Sequence, residues 1–255
     1  MLWYKAWLET RWRFLTGLGL LACSAGAIVF LYPQVTKLVP MASTVDTSGD
    51  LGRRIAEATA LVRSYRGYIW SQWFSQNMRQ LWALFSVLLG TGGLLAQTLG
   101  GGALFTLSLP VSRGRLLAVR AATALAELGI LAIVPSLLLP LLSPAVGQTY
   151  SFADALVHGA CMFVAGSTLF SLTFLLSTVF SDVWRPPLIA LAFAILMALV
   201  REVVGGPSSA SLLGIMTAES YFRGDGLPWL GLLGTAAASA AMLYAATLNI
   251  ARQDF

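Results

Sequence analysis

Glu127, Asp154 and His158 are the residues of this chain that could do acid–base chemistry in an apolar setting. Glu127 lies about two helical turns into an apolar run spanning 121–142. A carboxylate inside a bilayer is costly and marks a functional site by default. It would line a translocation path or titrate during transport. The structural alternative is an ion pair with Arg120, two turns earlier on the same face. Asp154 and His158 stand four residues apart, on one face of a helix. A hydrogen-bonded structural pair is the first reading and a proton relay the second. His158 is the only histidine, so a multi-histidine metal site is excluded. Cys23 and Cys161 each sit in an apolar run, which fits neither a disulfide framework nor a zinc site. Lys5 and Lys37 are the only lysines, and neither follows the Gly-x-x-x-x-Gly pattern of a phosphate-binding loop. ATP hydrolysis by the usual route therefore needs a separate polypeptide. An intramembrane phosphotransferase would need clustered aspartates and a divalent metal. Asp182 and Asp254 stand isolated, so that enzyme reading is weak.

The elements that must hold these residues are apolar helices. Of 255 residues, 57% are hydrophobic and only 11% charged, with mean hydropathy +0.77. Soluble domains carry roughly 25% charge. Nearly uncharged runs fall at about 14–32, 81–99, 121–142, 155–180, 188–204 and 229–250. About 20 apolar residues cross a bilayer, which predicts an all-α integral membrane protein with six transmembrane helices. The net charge of +5 comes from arginines scattered over many loops, which argues against nucleic acid and for a membrane charge bias.

Between the spans, residues 1–13 predict an interfacial helix, with Trp3, Trp7 and Phe14 on one stripe and Lys5, Glu9 and Arg13 on another. The alternative is a plain extension of the first span. Residues 33–79 are the longest polar stretch. Pro33, Pro40 and the run Ser43–Gly49 predict loop. Leu51, Ile55, Ala58, Val62, Tyr65 and Ile69 then form a helical stripe, capped by Ser48 or Asp50. That predicts an amphipathic outer helix, with Trp70, Trp73 and Phe74 in an aromatic belt. Arg79 and the Arg201-Glu202 pair are expected at the outer boundary, snorkelling. Segment 205–228 predicts an outer helix capped by Ser208, running through Tyr221 and ended by Gly224 and Gly226.

The most informative connection is 107–117, Leu-Ser-Leu-Pro-Val-Ser-Arg-Gly-Arg-Leu-Leu, within a polar link at 100–120. Pro110 stops a helix. Ser108 or Ser112 can cap a new one. Arg113, Arg115 and Arg120 crowd the start of the next apolar run, as on a cytoplasmic face.

This segment resembles the coupling loop of the type-2 ABC exporter permeases. The six-run pattern with a large first outer loop, the segment 212–226 (LLGIMTAESYFRGDG) and the arginine/aspartate tail Asn249–Phe255 are also similar to that family. The triple glycine at 100–102 departs from its charged lead-in. The resemblance implies a single six-helix domain over 1–255, in a bacterial plasma (inner) membrane with both termini cytoplasmic. It implies a separate ABC ATPase partner that carries the ATP and magnesium, with no cofactor on this chain. A second copy, or a related permease, would complete the pore. Leu109, Pro110 and Val111 would form an apolar knob in a groove of the ATPase, with Ser112, Arg113 and Arg115 around it. The expected function is export of an unidentified hydrophobic or amphipathic substrate. The alternatives are a force-transmitting assembly factor that carries no solute, or an intramembrane enzyme.

Overall fold

A computed structural model describes residues 2–42, 52, 59–91, 112–180, 182–204 and 211–252. Among the described residues every regular element is helical. The elements are α1 (Leu2–Ala42), α2 (Tyr65–Tyr68), a π-helix (Ile69–Met78), α3 (Arg79–Gly90), α4 (Arg113–Leu142), a 3-10 turn (Ser143–Val146), α5 (Phe152–Val179), α6 (Arg185–Val204), α7 (Leu212–Met216), α8 (Glu219–Arg223) and α9 (Trp229–Ala251). Four helical stretches are long and apolar enough to cross a membrane: Leu2–Lys37, Gly114–Val146, Phe152–Val179 and Trp229–Ala251. The chain is an all-helical membrane protein.

α1 corrects two sequence expectations. Residues 2–13 are not a separate interfacial helix, and Pro33 does not begin a loop. One helix of 41 residues runs through both. At 1.5 Å per residue it is about 62 Å long, twice a bilayer's hydrocarbon thickness. Nothing between Trp3 and Phe14 breaks a helix, and the hydroxyls of Thr10 and Thr16 bond back to Ala6 and Trp12 at 3.2 and 2.7 Å. Pro33 removes only one donor, and its own carbonyl accepts from Thr36 Oγ1 at 3.1 Å. The exposed aromatics Trp3, Tyr4, Trp7 and Trp12 surround the start of this helix. They have the amphipathic character of a headgroup belt.

The predicted stripe from Leu51 to Ile69 breaks at Ser64. Its hydroxyl accepts from Gly67 N at 3.1 Å and caps a new helix at Tyr65. Leu51, Ile55 and Ala58, with the suggested caps Ser48 and Asp50, lie outside the described residues. From Tyr65 the chain is helical without interruption to Gly90. Trp70, Trp73 and Phe74 are buried in the core and do not form a belt. They lie on the π-helical stretch, which faces α5 and α7. Arg79 follows it, midway along this helical run and not at its outer edge.

Side-chain contacts set the directions of the helices. Thr10 meets Glu127 and Gly26 meets Leu142, so α1 and α4 run parallel. Tyr68 reaches Ile28 while Arg13 reaches Leu88, so the Tyr65–Gly90 run is antiparallel to α1. Gly159 packs on Ala132 and Gly129 on Phe163, making α5 antiparallel to α4. Ser167 bonds Ser239 and Asn249 bonds Thr178, so α9 runs parallel to α5. The N-terminal end of α1, the ends of α3, α5 and α9, and the start of α4 therefore share one end of the bundle. Tyr65, Ser143, Ser151 and α7–α8 share the other.

The core lies between these helices, around Leu21, Trp82, Leu128, Leu131, Phe170 and Phe174. Trp82 shows how tightly it is built. Its indole donates to Leu128 O at 3.2 Å and lies where a Cβ on Gly166 would stand. Small residues let helices approach closely in membranes, where no hydrophobic force drives them together.

The segment expected to be one helix from Ser208 is two. Ser208 lies outside the described residues, and Ser211 does the capping, accepting from Gly214 N at 3.0 Å. Ala218, at φ 50°, breaks α7 from α8, and Gly224, at φ 93°, ends α8. A non-glycine residue with positive φ is uncommon and strained. Here the turn directs the Thr217 carbonyl at two donors described below.

Candidate functional site

The intramembrane polar residues form two separate clusters. The first lies toward the end holding the start of α1. Glu127, 3% exposed, receives a 2.6 Å hydrogen bond on Oε1 from Thr10 Oγ1 of α1. Its Oε2 has no hydrogen-bond partner among the described residues. The expected pair with Arg120 does not form. Seven residues along a helix are about 10 Å apart on its axis, and Arg120 is claimed by nearer groups. Its Nη1 lies 4.0 Å from Glu9 of α1, and its Nη2 donates to Thr91 O at 3.0 Å. Arg13 joins it, donating to Leu88 O at 2.7 Å and to Thr91 Oγ1 at 2.8 Å. Two guanidinium groups thus cap the C-terminal carbonyls of α3, the groups that a helix end leaves without partners. They also face the negative end of its dipole. Through them, α1, α3 and α4 are tied at the point where the chain leaves α3 toward residue 112.

Of the coupling residues, Ser112 is exposed and occupies the N-cap position of α4 with extended backbone. Its carbonyl accepts from Arg115 N and Leu116 N at 3.0 and 3.2 Å, while its side chain makes no capping bond. Arg113 opens the helix and Arg115, in the first turn, is exposed. Leu109, Pro110 and Val111 lie outside the described residues, as does Ser108.

The second cluster lies at the opposite end. Asp154 and His158 are on one face of α5 but each bonds elsewhere. Asp154 Oδ2 accepts from Arg66 Nε and Oδ1 from Tyr221 OH, both at 2.9 Å. His158 is fully buried, and its Nδ1 lies 3.0 Å from Thr217 O. A carbonyl only accepts, so the proton sits on Nδ1, and Nε2 is left as a buried acceptor without a partner among the described residues. Trp70 Nε1 donates to the same carbonyl at 3.1 Å. Phe74 stacks on His158 with centroids 4.5 Å apart, and Trp70 stacks on Phe222 at 4.3 Å. These contacts fasten α7 and α8 onto α2, the π-helix and α5. The bond to Asp154, followed by desolvation, raises the pKa of the Tyr221 hydroxyl. Burial does the same at Tyr150.

Asp182, a candidate for enzymatic metal binding, instead pairs with Arg185 at 3.4 Å and accepts from Trp184 N. Asp254 lies outside the described residues. Among the described residues, no three His, Cys, Asp or Glu side chains are grouped to hold a metal.

Sequence reasoning singled out Glu127, Asp154 and His158 but none of their partners. Thr10, Thr217 and Tyr221 are neutral residues with no distinguishing spacing, and Arg66 is one of several arginines in its segment. Only the packing of remote helices selects them.

No protein-family model matches this sequence, and neither a curated protein nor a solved structure matches it. The fold and its clusters define an all-helical membrane protein with a polar tie near each end of its bundle.

Proposed function

We propose that the chain is the transmembrane permease subunit of an ATP-driven exporter of the type-2 ABC class, with six spans and a separate ATPase. The Tyr65–Gly90 run and α6 supply the spans beyond the four long apolar helices. The observation that carries this reading is the shared end of the bundle. The start of α1, the end of α9 and the exposed α4 entry at Ser112 and Arg115 lie together there. An even number of crossings brings both termini to one side; the other end carries nearly as many cations, so the resemblance of 107–117 to a coupling loop is what favours the cytoplasm for this one. The membrane is a bacterial plasma membrane, and a second copy or a related permease completes the pore.

In this mechanism, closure of the ATPase pushes on Leu109, Pro110 and Val111. Arg113 and Arg115 lie at the rim of that contact. The push reaches α3 and α4 directly, and the Arg13–Thr91–Arg120 tie carries it into α1. The cargo is hydrophobic or amphipathic, in keeping with the apolar interior.

Buried apolar anchors dominate interface energy, and exposed rim charges contribute little. The paired change Leu109→Asp and Val111→Asp should abolish co-purification of the ATPase from membranes while the protein still inserts. Arg115→Ala should retain it. Full ATPase association in the double variant would overturn the reading.

A further inference from the structure

We propose that a second copy of this chain packs on the exposed face of the Tyr65–Gly90 run, the row Gln72, Gln76, Gln80 and Leu84. The glutamine amides of the two copies hydrogen-bond across a two-fold axis along the membrane normal. The proposal rests on the reading of this run as a membrane span, and it needs no ATPase.

The winding of the helix builds the row. Trp73, Phe74, Met78 and Trp82 are fully buried and hold one side of the run against the core. Gln76, Gln80 and Leu84 are exposed on the other side, with Gln72 partly exposed. Residues four apart overshoot one turn of an α-helix, so such a row drifts around it. The wider π-helical winding at Ile69–Met78 reduces that drift and keeps the amides in line. Their depth makes exposure costly. Phe74 stacks on His158, and Trp82 stands against Gly166. Gln76 and Gln80 are therefore level with residues between His158 and Gly166 of α5, inside its apolar stretch Phe152–Val179. Around a single chain, an exposed face at that depth meets hydrocarbon. Neither amide has a hydrogen-bond partner among the described residues. An amide left unbonded in hydrocarbon is costly, and glutamine side chains in membranes bond across helices.

The chemistry of the row fits a copy of itself. A two-fold interface sets one patch against the same patch. A glutamine side chain carries both a carbonyl acceptor and an NH2 donor, so two of them related by the axis satisfy each other. A row of like charges would repel its own image. Room for close approach lies beside the row, where a cleft of about 320 Å³ separates α3 from α6. Ala83, Ala194 and Ala198 line it, and small residues at such places let membrane helices come close. On its rim Leu84 and Ile195, 38% and 60% exposed, supply apolar side chains that enter the cleft of the opposite copy. Arg79, also in the cleft wall, is engaged within its own chain and takes no part in the contact.

The test uses the full chain in lipid vesicles, in a background with Cys23→Ser and Cys161→Ala. Of Gln76→Cys and Gln80→Cys, made singly, at least one should cross-link to its counterpart in most of the protein under mild oxidation. Leu233→Cys, 65% exposed on α9, should not. A disulfide needs Cα atoms roughly 4.4–6.8 Å apart, so the bond reports the axis. Förster transfer between labelled copies reads association separately, as added lipid dilutes the protein. Gln76→Leu with Gln80→Leu, on exposed positions where folding is not at risk, should weaken association several-fold, because leucine in lipid gains no hydrophobic drive by pairing. Three results would overturn the proposal: a wild type that stays monomeric, association unchanged by the two leucines, or cross-linking at neither glutamine above the level of Leu233→Cys. In the last case, rapid reaction of the cysteines with an impermeant maleimide would put water over the row, and no reaction would put lipid there. ATPase co-purification is a separate readout, so the exporter reading can fail while this interface stands.

Discussion

Thr10 of α1 hydrogen-bonds Glu127 of α4 at 2.6 Å, across 117 residues of sequence and inside the bundle. The contact ties the first helix to the one that follows the basic link. It also gives the buried carboxyl the only hydrogen bond it has among the described residues. Thr10→Val keeps the shape and removes the bond. A buried polar group that loses its partner costs about 1–3 kcal/mol, so the thermal midpoint in detergent should fall. Thr10→Val combined with Glu127→Leu should recover most of the loss, since an apolar pair has nothing left unsatisfied. A double variant as unstable as Thr10→Val alone would show that the bond is not what holds this interface.

Gly166 admits the Trp82 indole. Gly166→Ala should force Trp82 off its bond to Leu128 O, with an overpacking cost of about 1–3 kcal/mol. The spectral shift of Trp82 emission, in a background where the other tryptophans are phenylalanine, reports the displacement. Gly234→Ala is the control, because nothing lies within 4 Å of a Cβ there. It should be neutral or slightly stabilising.

Tyr221 predicts an alkaline limit on the α7–α8 cap. Its pKa is raised in the folded state, first by the bond to Asp154. The stability this gives is fully present below the unfolded tyrosine value, about 10. It is lost as pH rises through the folded value, because the phenolate cannot donate to Asp154 and is repelled by it. Melting midpoints followed from pH 8 upward should fall more steeply for the wild type than for Tyr221→Phe, which has lost the bond at every pH. Parallel curves would place the alkaline sensitivity elsewhere.

The two ends of the bundle should face different compartments. Ser112 and Thr149 are both exposed, one at each end. As single cysteines in a background lacking Cys23 and Cys161, Thr149→Cys should react with an impermeant maleimide in intact cells. Ser112→Cys should react only after the cells are opened. The reverse pattern would invert the orientation.

The sequence by itself determined the class of this protein and the positions of some of its apolar helices. Hydropathy is a property of each segment, and a bilayer demands helices of a certain length whatever they pack against. Phe152–Val179 and Trp229–Ala251 therefore fall within a few residues of the runs at 155–180 and 229–250. Local capping was partly legible for the same reason: the break at Gly224 is visible as a glycine. What only the tertiary structure decided was which polar groups meet. Arg120 and Glu127 share a face of α4, and Asp154 and His158 share one of α5, so spacing within a helix suggests that each pair bonds. Neither does. α1 brings Thr10 against Glu127 and Glu9 within reach of the long Arg120 side chain, and the Ala218 turn sets the Thr217 carbonyl against His158. The continuity of α1 through Pro33 and the burial of Trp73 and Phe74 were hidden for a related reason. A proline or an aromatic residue has the same local signature in either setting, and the helices around it decide which one it occupies.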